Sequence, residues 1–545
     1  MHLRTRYGTW AITVAVLVLA WGPDNFLQAQ TGSYRLVAWS ELGMHCIDGK
    51  DYSIFSVLPP YNVVHAQLIK MTEPPTPITS GVTITYEAIP DPSGSVNTIS
   101  STKTNFWSYI YVLFRNNNPP DVGLTGNHTQ QLAPNTHPLR YDNSNGYWIA
   151  DGIPTIPYDD HGNAKPYPMA KIVARDPHGN VLASAPVVLA VSDEMSCSRC
   201  HASNSDPYAK PAAGWENNSN PNVDTKLNIL KKHDDRWNIT AYLGQLQRAG
   251  YNYQSSLYQT AKSGTPILCA ACHSDNALGL AGISPIKSLT ADMHTLHGPQ
   301  VLISTGTTLN VNSGNSDLNS CYLCHPGPTT RCKRGAMNTQ LCSACHGNLT
   351  KVGASNRTGW LDEPACQMCH NTTQRYTSAF TSSGNWRTTT DQTFATNPNR
   401  PVMGKQLYRY SAGHGTVYCS ACHGSPHAEY PTLQANDNLY SRQLQGHTGK
   451  IAECSVCHTN VPTTANGGPH NMHNIGQSWV NGHGDQVDQV GLAACAYCHG
   501  SNFRGSFLSK TSMARTFNAD DYGTKTYNAG NMVTCYDCHN GPNGE

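Results

Sequence analysis

Charge is scarce in this chain. Lys, Arg, Asp and Glu together supply 13% of its 545 residues, about half the share of a typical soluble domain. The formal net charge is +1, so no basic surplus exists to attract nucleic acid or an anionic membrane. Apolar residues are also few, at 38%. One explanation for a chain short of both kinds is an interior filled by something other than side chains. Beyond the N-terminus no segment is apolar enough to span a bilayer. Residues 30–190 contain neither a Gly-x-Ser-x-Gly motif nor a glycine-rich phosphate loop, and no catalytic constellation stands out there.

The N-terminus sets the compartment. Arg4 and Arg6 precede an apolar run from Trp10 to Gly22, and a polar stretch ends at Leu27-Gln28-Ala29. This pattern predicts a secretory signal peptide over residues 1–29. The run is about 13 residues, short of the roughly 20 a spanning helix needs. Cys46, the first cysteine, lies too far on to be a lipidated N-terminus. The expectation is an exported protein, periplasmic, extracellular or at the cell surface, with no membrane span in the mature chain.

Cysteine is what the chain has in plenty. Of 20 cysteines, 18 fall in nine copies of Cys-x-x-Cys-His. They are Cys197/Cys200/His201, Cys269/Cys272/His273, Cys321/Cys324/His325, Cys342/Cys345/His346 and Cys366/Cys369/His370. Then follow Cys419/Cys422/His423, Cys454/Cys457/His458, Cys495/Cys498/His499 and Cys535/Cys538/His539. A disulfide framework or paired zinc ligands would also use cysteines. Neither needs a histidine directly after the second cysteine. With 25 histidines in 545 residues, nine out of nine is not coincidence. The spacing is that of c-type haem attachment, two thioethers and one axial imidazole. Nine covalent haems are expected. Each is a large apolar disc that substitutes for side-chain core, so sparse secondary structure is expected around it.

The ligand on the other face of each iron decides the role. From Cys197 onward, nine histidines lie outside the motifs: His233, His294, His297, His414, His427, His447, His470, His473 and His483. Their number equals that of the motifs, which predicts bis-histidine ligation. His294 and His297, and His470 and His473, are each three apart. On a helical turn such pairs share a face and could serve two neighbouring haems.

Residues 30–190 read differently. Tyr34–Trp39, Gly81–Ala88, Phe106–Phe114 and Lys171–Ala174 have β-rich composition, and Val181–Val191 follows Lys171–Ala174 across a plausible hairpin turn. The expected fold is mixed. An N-terminal β-sandwich-like domain over 30–190, for docking or assembly, precedes a haem-packed domain of loops and short helices over 191–545. Its histidines read as ordinary ones, with His45 the best candidate for a stray ligand. Cys46 and Cys332, outside the motifs, form either a disulfide or two buried thiols.

The phrases CYLCHPGPTTRCKRGAMNTQLCSACH (321–346), WLDEPACQMCH (360–370), HGTVYCSACHGSPHAEYP (414–431), CYDCHNGP (535–542) and ELGMHCIDGKDYSIFSVLPPYN (41–62) carry a resemblance. The chain resembles large exported multihaem cytochromes of metal-respiring anaerobic bacteria. That resemblance implies a continuous haem chain carrying electrons across the periplasm or to extracellular acceptors, with other redox proteins as partners. It also admits self-assembly into a filament. The competing function is a multihaem reductase of nitrite, hydroxylamine or a sulfur oxyanion, with one open iron face. Such enzymes often carry Cys-x-x-Cys-Lys, which does not occur here, so an electron-transfer protein without a dedicated substrate site is expected.

Overall fold

A computed structural model describes residues 32–543 except 303–305, 311–319, 328, 358–362, 371–374, 389–396, 399–400, 403–404, 407 and 462–467. The predicted signal peptide lies outside the described residues.

In chain order the first strands are β1 (Tyr34–Ser40), β2 (His45–Cys46), β3 (Phe55–Ser56), β4 (Asn62–Lys70), β5 (Thr76–Ile78) and β6 (Thr83–Ile89). Next come β7 (His137–Pro138), β8 (Arg140–Asp142), β9 (Tyr147–Ile153), β10 (Met169–Arg175), β11 (Val181–Val188) and β12 (Val191–Ser192). One antiparallel sheet has the order β1-β4-β9-β8, with β5 also on β4, and the second runs β11-β10-β6-β7. Leu36, Val64 and Leu68 of the first sheet share one buried core with Ile84, Tyr86, Ile172 and Ala185 of the second. The β10–β11 hairpin closes as its residues dictate. The Asp176 carboxylate accepts from the backbone N–H groups of His178 and Asn180 at 2.9 and 2.8 Å. Gly179 takes the left-handed φ of +87° that a side chain would resist.

One segment differs from its predicted character. Phe106–Phe114 is an α-helix, not a strand, and buries Phe106, Ile110 and Leu113. Their spacing of four and three is the helical period. Aromatic and β-branched content pointed to a strand, but periodicity decided. The helix belongs to a second core, with Leu227, Leu230, Leu246 and Tyr253.

From residue 193 on, regular structure is sparse. The longest helices are Pro221–Asp234 and Gln477–Val490, of 14 residues each. The two parts of the chain interlock. β12 pairs in parallel with β2, and β13 (Ile267–Leu268) pairs in parallel with β3. Ala412, Tyr418, Ala421 and Tyr440 complete the core of the sheets. Arg334, 2% exposed, donates to the Asp437 carboxylate from Nε and Nη2 at 2.6 and 2.9 Å and from Nη1 to the Gly43 carbonyl.

Candidate haem-binding sites

Each Cys-x-x-Cys-His motif winds through one turn of helix. In six of them the histidine N–H donates to the first cysteine's carbonyl at 2.8–3.0 Å: His201, His273, His325, His370, His458 and His539. The other three lie within the α-helices Cys342–His346, Cys419–His423 and Leu492–His499. Residues three and four apart on a turn face the same way, so each turn presents two thiols and one imidazole together.

Seven of these turns surround a single cavity of about 3130 Å³. All three motif residues of each, from Cys321 to His539, line it, as do His294, His297, His414, His427, His470, His473 and His483. Protein interiors are close-packed, with few voids larger than a water molecule. A cavity of this size, ringed by thiols and imidazoles, fits large apolar discs held at their edges by sulfur and at their centres by nitrogen.

Seven of the nine spare histidines stand at the distance from a motif histidine that two ligands of one metal would have. A metal–imidazole bond is about 2 Å long, and the ring centroid lies about 1 Å beyond the nitrogen. Two imidazoles on opposite faces of one metal therefore have centroids about 6 Å apart by the same reckoning. The structure sets His201 6.3 Å from His297, His325 6.2 Å from His294 and His346 5.9 Å from His427. His458 is 5.9 Å from His414, His423 6.0 Å from His470, His499 6.3 Å from His473 and His539 5.6 Å from His483. His233 is an electrostatic neighbour of His273.

The tautomer is also set. Nδ1 lies against a backbone carbonyl in His273, His294, His297, His473, His483 and His499, at 2.6–3.1 Å. A carbonyl only accepts, so Nδ1 carries the proton and Nε2 keeps its lone pair, the arrangement of a metal-ligating histidine. Burial, with neighbouring histidines adding to it, depresses His201 and His325 to about 4 and His346 and His423 to about 3. These rings are neutral near pH 7. The donor set thus suits iron on both faces.

The two paired histidines take different routes. His294 and His297 lie on one helix, Leu289–His297, and reach two different motifs, as expected of a shared face. His470 and His473 also reach two motifs, but not from a helical turn. His470 holds a left-handed φ of 56°, as does His427 at 67°, a conformation rare outside glycine and concentrated at functional sites.

His447 is placed otherwise. Its Nε2 meets the Glu453 carboxylate at 3.1 Å and its Nδ1 the Thr448 carbonyl at 2.9 Å. His370 has the Phe507 ring at 6.3 Å. His45 lines the cavity at 3% exposure, edge-on to Tyr61, and burial drives it down to about 3. Cys46 and Cys332 are both free thiols, with the Cys332 sulfur 3.5 Å from Nδ1 of His427. Trp479, to which no sequence argument pointed, stacks on His473 at 3.8 Å.

Turns bearing two thiols and an imidazole, opposed by second imidazoles around one cavity, are the arrangement that c-type haem attachment requires. Residues 334–507 match the family model of outer membrane cytochrome MtrC/MtrF-like proteins, domains II/IV, a stretch that includes five of the nine motifs. The chain thus resembles the outer-surface multihaem cytochromes of metal-respiring bacteria, and covalent c-type haem and electron transfer come with that resemblance. It matches no curated protein and no solved structure. Among the described residues no helix is long and apolar enough to cross a membrane.

Proposed function

We propose that the chain carries nine covalent haems and conducts electrons between a donor and an acceptor outside the cytoplasm, across the periplasm or at the cell surface. The observation that carries this reading is the set of seven histidine pairs, 5.6–6.3 Å apart, with six of their motifs and that of His370 around one cavity. Two histidines saturate an iron, which leaves electron transfer as its chemistry and favours low potentials over those of His/Met sites.

The protein's own residues arrange the order of the centres. His294 and His297 tie the His325 and His201 centres through one helix. Asp292 of that helix lies 3.2 Å from Nδ1 of His273. His325 is an electrostatic neighbour of His427, which faces His346. His427 follows His423 by four residues, so the His346 and His423 centres adjoin. His470 and His473 link the His423 centre to that of His499, and Cys495 neighbours Cys535. The path runs His273, His201, His325, His346, His423, His499, His539. The His370 and His458 centres flank it, since Cys366 neighbours Cys419 and Cys422 neighbours Cys457. Residues 30–190, which carry no motif and expose Tyr111 and Val181 at 54% and 60%, serve docking in this reading.

Intact-protein mass spectrometry is the test. The polypeptide should carry the added mass of nine haems. A stable product with seven or fewer overturns the assignment.

A further inference from the structure

Trp479 has no part in attachment or ligation, yet it lies between two of the histidines assigned to ligation. Its ring stacks on His473 at 3.8 Å with the planes 5° apart. Its ring centroid stands 6.4 Å from that of His483, four residues on and therefore on the same face of the helix Gln477–Val490. A local turn brings it there. The Asn474 side-chain oxygen accepts from the Gly476 N–H at 3.1 Å and from the Ser478 hydroxyl at 3.4 Å. The Trp479 N–H donates to the Gly476 carbonyl at 3.0 Å. The chain folds back, and the indole lies flat on the imidazole.

An axial imidazole can turn about its metal–nitrogen bond, so its plane is fixed by what surrounds it. His294 and His297 sit on a helix, with Nδ1 held by carbonyls one turn back, at Thr290 and Met293. His473 has no helix beneath it, and its Nδ1 contacts only the adjoining carbonyl of Asn474, at 2.6 Å. The flat contact with Trp479 takes the place of that support. The outcome differs from its neighbour's. His473 lies within 9° of the plane of His499, whereas His483, whose face the indole does not cover, stands 47° from His539.

We infer that Trp479 is a positioning residue that locks the plane of His473 parallel to that of His499 and so sets the ligand field of the iron they share. The inference rests on the haem assignment above. Parallel axial planes split the iron d orbitals rhombically, whereas crossed planes leave them closer to axial. Among the seven pairs only two are near parallel, His473/His499 at 9° and His294/His325 at 15°. Those of His201/His297 and His346/His427 cross at 77° and 75°.

The test is electron paramagnetic resonance of the oxidised full-length holoprotein and two variants, each checked for haem content by intact mass. Trp479→Met fills the space without offering a ring face, and Trp479→Phe restores one. The rhombic low-spin signal should lose the intensity of one centre in Trp479→Met, with a more axial signal gaining it, and Trp479→Phe should recover it. An unchanged spectrum in Trp479→Met, or equal loss in both variants, overturns the role of Trp479. A wild type without covalent haem or without low-spin signals would instead sink the haem assignment itself.

Discussion

Tyr418 stacks on Trp39, with ring centroids 5.3 Å apart and planes inclined by 24°. Trp39 is the penultimate residue of β1, and Tyr418 immediately precedes Cys419, the first thiol of a central motif. The Tyr418 hydroxyl donates to the Asn145 carbonyl at 2.7 Å, and its N–H donates to Gln67 at 3.1 Å. The sheets therefore hold the approach to this motif from inside their own core.

That contact predicts coupled unfolding. Trp39 is 1% exposed, and an aromatic-to-alanine change in a core costs about 3–5 kcal/mol. Trp39→Ala should lower the melting temperature read from the sheets by far-ultraviolet circular dichroism. It should lower the temperature read from haem absorbance equally. If the haem transition stays in place while the sheet transition moves, the two parts fold independently and the shared core is not cooperative.

The attachment motifs were fully legible in the sequence, because covalent chemistry demands one local spacing. The candidates for second ligands were legible and their partners were not, and His447, one of those candidates, meets Glu453 instead. His201 meets His297 and His346 meets His427 through contacts between distant segments, which no local pattern encodes. The strands of residues 34–40, 83–89 and 169–188 followed from β-rich composition, but Phe106–Phe114 did not, since tertiary packing on Leu227 and Leu230 rewards its helical period. The interlock of Trp39 with Tyr418 was hidden for the reason that hid the pairings. An apolar residue shows that it will be buried, not against what.

Acid should weaken the region around the helix Pro221–Asp234. Burial alone would raise the Glu216 carboxyl, but Lys231 and Lys262 at 2.8 and 2.9 Å and the Tyr258 hydroxyl at 2.8 Å outweigh it. The folded-state value falls from 4.5 to about 2. A depressed acid stabilises the fold above its unfolded value and loses that contribution as pH falls through the folded one. Stability from Glu216 is therefore complete above pH 4.5 and lost on the way to pH 2. Glu216→Gln should flatten this part of a denaturation-against-pH curve and lower stability at pH 7. Parallel curves for variant and wild type would show that the cluster contributes nothing.

His294 and His297 offer independent cuts on one helix. His294→Ala should leave only the His325 centre without its second imidazole, and His297→Ala only the His201 centre. Each variant should gain one high-spin ferric signal and bind carbon monoxide when reduced, with covalent haem mass unchanged. The double variant should show two. A single variant that opens both centres would mean that the helix, not the individual ring, holds them closed.

His447 should behave differently, because its Nε2 is already engaged. The Glu453 carboxylate that meets it at 3.1 Å also receives the Arg515 guanidinium, so the three side chains form one partly buried network. Hydrogen bonds to charged groups contribute about 1.5–3 kcal/mol each, and burial strengthens them. To ligate iron, the imidazole would have to abandon this carboxylate and turn Nε2 toward the metal. The expected result for His447→Ala is therefore a loss of stability with an unchanged low-spin spectrum, in contrast to His294→Ala. Glu453→Gln should cost a similar amount, and the double variant little more, since both members serve the same contact. A new stoichiometric high-spin signal in His447→Ala would reverse the conclusion. It would place this histidine among the iron ligands and make the Glu453 contact the one that yields.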